Sequence, residues 1–162
     1  MNYNKVKNLL TICFCCLLYT VNAQTKTNHG AAVYDSVLAK KLGADEYGMK
    51  HYVMAFLKTG PNQITDSVKR VEMQKAHLKN IIRLANEGKL LVAGPFLDDQ
   101  PVEGIFIFNV TTIEEARALT NSDPAIQSGE LVMELRPWYG SAALVELVQL
   151  HLKIQKKSVA DF

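Results

Sequence analysis

The chain predicts an α+β fold: a ferredoxin-like βαββαβ plait, with an antiparallel sheet, helices on one face, an extra N-terminal segment and a C-terminal helix. Three observations predict it. Strand and helix signals follow the order β-α-β-β-α-β between residues 51 and 136. The two central strands are joined only by 97–101, LDDQP, a hairpin-length connection. The apolar residues of 53–57 (VMAFL) and 105–108 (IFIF) do not alternate with polar ones. A sheet with one wet face would show alternation, so both faces need cover. Two helices supply one side. The cheapest cover for the other is the same face of a second copy, in a two-fold homodimer.

Each element has a local signal. Residues 34–42 can form a short helix stopped by Gly43, with Val37, Leu38 and Leu42 available for docking. The first strand, 51–58, ends at the turn pair Gly60-Pro61. Thr65 or Asp66 can cap a long helix running to Glu87, with Val68, Val71, Leu78, Ile82 and Ala85 on one side. Gly88 follows as a C-terminal stop. Residues 89–93 form a second strand, broken by Gly94-Pro95, and 104–110 form a third. Thr112-x-x-Glu115 is a capping box for a second helix facing inward with Ile113, Ala116 and Leu119. A fourth strand, 131–136, stops at Pro137. Ser141 can cap a C-terminal helix over 142–155.

Residues 1–23 read as a cleavable signal peptide. Lys5 and Lys7 form a basic start, 9–21 is an apolar run of thirteen, and Val21-Asn22-Ala23 suits signal peptidase. The expected location is secreted or periplasmic. Residues 24–49 are a polar linker and short helix. Cys13, Cys15 and Cys16 leave with the leader, so the mature chain offers no thiol nucleophile or thiolate metal site. The whole chain has 18 basic and 16 acidic residues. Loss of Lys5 and Lys7 brings the two counts level. That balance argues against nucleic acid or an anionic membrane surface as a partner. The mature length, about 139 residues, suits one domain.

Two residues could carry proton chemistry. On its helix His77 has Met73, Ile81 and Leu84 as neighbours, so it borders the buried side. Imidazole changes charge near neutral pH and suits proton transfer. The same position also suits a hydrogen-bonded histidine at the core edge. Asp123 can cap a short turn, with Pro124 at its first position and Gly129 at its end. A carboxylate could also fix the tautomer of His77, as the acidic member of a catalytic triad does. Gly94-Pro95-Phe96 is either a ligand-approach segment or a plain turn. Arg136 could hold an anionic group, or could be a solvated strand end. Trp138 and Tyr139 are expected to pack. His29, His51 and His151 lack metal-ligand spacing, and no phosphate loop or G-x-S-x-G is present. No metal and no cofactor are expected.

Taken together, these motifs resemble the YCII-related (YciI-like) family of dimeric α+β barrel proteins. The resemblance spans roughly 51–139. It rests on His77-Leu78, Glu87-Gly88-Lys89-Leu90, Ala93-Gly94-Pro95, Glu114-Glu115-Ala116, Asp123-Pro124 and Arg136-Pro137-Trp138. It implies a 50–140 domain that pairs sheet to sheet, with a 141–162 helix and tail beyond it. It also implies a pocket in which His77 and Asp123 form an acid/base dyad; Gly94, Pro95, Phe96 and Arg136 are expected on its substrate side. The 34–49 segment and the C-terminal helix could cover or extend that pocket.

Two functions fit. One is a cofactor-free small-molecule enzyme performing isomerisation, elimination or hydrolysis through activated water. The other is a non-catalytic ligand-binding or interaction dimer of the cell envelope.

Overall fold

The structure is a computed structural model that describes residues 33–161. The leader and most of the polar linker lie outside the described residues. The chain divides into two units, Met1–Tyr34 and Asp35–Phe162, and the fold described below is that of the second.

Four strands form one antiparallel sheet: β1 (Met49–Thr59), β2 (Leu90–Pro95), β3 (Val102–Phe108) and β4 (Leu131–Ser141). Their order is β2-β3-β1-β4, which makes β2 and β4 the edges. The helices are α1 (Ser36–Leu42), α2 (Ser67–Asn86), α3 (Ile113–Thr120), α4 (Pro124–Gln127) and α5 (Leu147–Ile154), with a 3-10 turn over Ala142–Glu146 before α5. This is the expected plait with its two extensions. No helix among the described residues is long and apolar enough to cross a membrane.

Local chemistry sets the helix ends. Asp35 accepts from Val37 N at 3.0 Å and Leu38 N at 2.9 Å to start α1, and Gly43 ends it at φ +69°. Asp66 caps α2 by accepting from Lys69 N at 2.9 Å, and Gly88 follows at φ +67°. Thr112 and Glu115 form the capping box of α3. Caps of this kind contribute about 1 kcal/mol each.

Alternate residues of the strands face opposite layers. Val53, Ala55, Leu57, Leu90, Phe106 and Phe108 form the main core with Leu84 of α2 and Ala116 of α3. On the other face Tyr52, Leu91 and Ile107 form a second cluster. Part of its cover comes from the chain itself: Leu144, Val145 and Val148 pack there beside Met54, Val92 and Trp138. Phe56, Ile105 and Val132, further along this face, lie outside that cover, and Val132 is 42% exposed.

Three local expectations are corrected. Pro137 lies within β4 rather than ending it, opposite Val53, and β2 runs on past Ala93 to end at Pro95, opposite Gly104. Both are on edge strands, where a missing N–H is tolerated. Of the α1 apolar residues only Leu42 is buried, while Val37 and Leu38 are exposed. The buried side of α2 centres on His77, Asn80 and Leu84, whereas Val68 and Val71 are exposed.

Candidate active site

The long helix α2 carries His77 and Leu84 two turns apart, with Asn80 between them on the same side. Across from it, the chain leaving α3 turns at Asn121-Ser122. Asp123 N donates to Thr120 O at 3.0 Å, and Pro124 starts α4 with its φ already suited to a helix. Asp123 Oδ1 accepts from Ala125 N at 3.0 Å, which caps that turn. The same carboxylate meets the imidazole: His77 Nδ1 lies 2.8 Å from Oδ2 and 3.0 Å from Oδ1. Asp123 is 1% exposed and His77 is 8% exposed.

The pair is braced from one side. Arg83 Nη2 donates to Asn80 Oδ1 at 2.8 Å and to Ser122 Oγ at 3.0 Å, tying α2 to the loop that carries Asp123. Asn80 Nδ2 is buried without a partner.

An ionised carboxylate only accepts hydrogen bonds, so Nδ1 carries the shared proton. In the neutral ring Nε2 then keeps a lone pair. Nε2 has no protein partner among the described residues, and it is not sealed from solvent. His77 lines a cavity of about 480 Å3 between α2, the sheet and the α4–β4 connection. The imidazole stacks on Phe106 at 6.1 Å between ring centres, with 18° between planes. Leu57, Met73, Ile81 and Leu131 add apolar wall, and Gln63, Gln74, Glu103 and Glu130 add polar groups.

Backbone packing shapes the rim. A Cβ on Gly104 would lie 2.6 Å from Gly94 O, so only glycine lets β2 and β3 meet there. The β1–α2 loop is pinned to the α4–β4 connection. Gly60 N donates to Glu130 O at 2.7 Å, and Gln63 Nε2 donates to Gly60 O and Glu130 O. A Cβ on Gly60 would lie 2.1 Å from Gly129 O.

Of the residues expected on the substrate side, Gly94 and Pro95 line the cavity. Phe96 and Arg136 do not. Phe96 follows β2 and is 48% exposed. Arg136 belongs to the opposite face of the sheet, where it pairs with Glu134 and lies 5.5 Å over the Phe56 ring. Lys58, and after it Arg136, hold the Glu134 carboxyl below the usual glutamate range. Gln63, Gln74, Glu103 and Glu130 were not anticipated. The only nearby sequence signal was the Gly60-Pro61 turn, and long-range pinning of a loop leaves no local mark. Among the described residues no group of three His, Cys, Asp or Glu side chains is placed to hold a metal ion.

The YCII-related domain matches residues 51–139, more than half of the chain. The chain belongs to the YCII-related family. Its family domain carries both His77 and Asp123, while α1 and α5 lie outside it. None of the curated proteins matches the chain. A solved structure similar to this YCII-related chain is 5-chloro-2-hydroxyhydroquinone dehydrochlorinase from Burkholderia phenoliruptrix AC1100, in complex with 2,5-dihydroxybenzoquinone. The two share 18% identity over 55% of this chain and 93% of that chain, with a TM-score of 0.41.

Proposed function

We propose that this YCII-related protein is an exported small-molecule enzyme that works by acid/base chemistry without a resident cofactor. His77 takes and returns the proton, and Asp123 holds the ring. The observation that carries this reading is the buried Asp123 carboxylate on His77 Nδ1, at 2.8 Å, with Nε2 unpartnered at a cavity. That orientation leaves the Nε2 lone pair for the substrate proton. The carboxylate then offsets the charge that forms on the ring.

Elimination and isomerisation suit this equipment. Both need a base that removes a proton from carbon. In isomerisation the protonated ring returns the proton to a second position; in elimination a leaving group departs as the double bond forms. Hydrolysis through a water activated at Nε2 needs the same two residues. Export is proposed from residues 1–23. A two-fold homodimer is proposed on the part of the sheet face around Phe56, Ile105 and Val132.

The test begins with protein purified natively, whose released ligand is identified by mass spectrometry. Incubated with that ligand in D2O, the wild-type protein should incorporate deuterium at the reacting carbon. His77→Gln should slow the exchange by about 10^2-fold or more. Exchange at an undiminished rate in His77→Gln would overturn the assignment.

A further inference from the structure

The His77 cavity has a neighbour. A second cavity of about 260 Å3 lies under α5, walled mainly by Ile82, Leu90, Leu91, Val148 and Leu152. The two cavities share Ile81, Ala93 and Val159. Ile81 and Ala93 belong to α2 and β2. Val159 belongs to the tail after α5, in a turn held by Ala160 N donating to Ser158 Oγ at 3.2 Å. Alone, the second cavity falls below the ~300–1,000 Å3 of most small-molecule pockets, whereas the first falls within that range. It therefore reads as an extension of the first.

The helix above it points the same way. The sequence of α5, LVQLHLKI, is mostly apolar, yet none of its residues is buried. Val148 packs on the Leu91 cluster, while Leu147 and Leu152, 41% and 46% exposed, line the cavity beside it. With Val159 59% exposed as well, this apolar wall is open to water, and a hydrocarbon chain laid along it would take that surface out of water. Neither cavity has a lysine or arginine in its wall.

We propose that the two cavities form one bipartite site, and that its ligand is an amphiphile whose head is not anionic. A polar reactive head sits at His77, and an alkyl chain passes Val159 and lies under α5. The assignment of the head rests on His77 as the reacting residue. The chain subsite stands on the apolar cavity and its shared wall. The C-terminal tail, which lies outside the family domain, is then a specificity element of this protein.

The test uses the fluorophore N-phenyl-1-naphthylamine, displaced by straight-chain alcohols from butanol to dodecanol. The fluorophore should bind saturably. Displacement should improve by about fourfold per methylene until the subsite is full, and then level off. Val159→Trp blocks the shared wall and Leu152→Trp fills the subsite. Both positions are partly exposed, so the fold should tolerate the larger ring. Each should weaken the long alcohols by about tenfold or more relative to butanol. His77→Gln should keep the chain-length profile. Loss of the profile in the tryptophan variants and loss of proton exchange in His77→Gln are therefore separate results. No saturable binding, or a profile unchanged in both tryptophan variants, would overturn the proposal. Decanoate displacing as well as decanol would overturn the exclusion of an anionic head.

Discussion

His77 Nδ1 shares its proton between both oxygens of Asp123, at 2.8 and 3.0 Å, and one of those oxygens also caps the turn that starts α4. One side chain therefore holds both a backbone turn and an imidazole ring.

That double duty separates two substitutions. Asp123→Ala removes the cap and leaves a buried ring N–H unpaired, and should cost about 2–4 kcal/mol in urea unfolding. Asp123→Asn keeps one oxygen, which in the place of Oδ1 can accept from both Ala125 N and His77 Nδ1, and should cost about 1 kcal/mol. Equal losses in the two variants would refute the shared role.

The cavity rim makes a second contrast. Gly104→Ala places a methyl 2.6 Å from Gly94 O and should destabilise by about 1–3 kcal/mol. Gly94→Ala meets nothing within 4 Å and should stay within about 0.5 kcal/mol of wild type. The midpoints of the two variants in urea, compared at constant slope, check this.

The capping box of α3 predicts a pH dependence. The Thr112 hydroxyl, helped by the Thr112 and Thr111 backbone N–H groups, holds the Glu115 carboxyl below its ordinary value of 4.5. A depressed folded value means stability that is present above 4.5 and is lost as pH falls through the lower folded value. Thr112→Val should cost about 1 kcal/mol at neutral pH. Its stability should also fall less steeply than that of wild type on acidification. Parallel acid profiles would remove the link between Thr112 and Glu115.

Assembly and export can be read from one preparation. Light scattering at micromolar concentration should give twice the chain mass. Val132→Lys, at a 42% exposed position, should give the single-chain mass without loss of folding. Intact mass of exported protein should start at Gln24. A wild-type monomer, or a retained Met1, would refute the corresponding proposal.

Much of the fold was legible because its signals are local. Asp66, Gly88, Thr112-x-x-Glu115 and Asp123-Pro124 each act within a few residues of themselves, and each sits at the helix end that its chemistry indicates. Pro137 misled because a proline's fate depends on whether its strand is an edge, which is a tertiary property. The face of α2 misled for a related reason. A helix of twenty residues spans about 30 Å, and its first turns, with Val68 and Val71, stay exposed. The buried side that remains includes two polar residues, His77 and Asn80, which hydrophobic periodicity passes over. His77 and Asp123 were legible as candidates from the helix neighbours of one and the Asp-Pro cap of the other, and the resemblance implied them as a dyad. Phe96 and Arg136 were adjacent to the right motifs in sequence but not to the cavity in space.

The segment over the second sheet face has a consequence for biosynthesis. Tyr52, Leu91 and Ile107 leave the ribosome well before Leu144, Val145 and Val148, the residues that shield them. At roughly 5–20 residues per second the gap from Ile107 to Leu144 lasts roughly 2–7 seconds. During that interval the nascent sheet presents a bare apolar patch with its own lid still untranslated. A chaperone, or secretion machinery that keeps the chain extended, has its work concentrated in that window. A stop codon shortly before Leu144 would make the vulnerable state permanent.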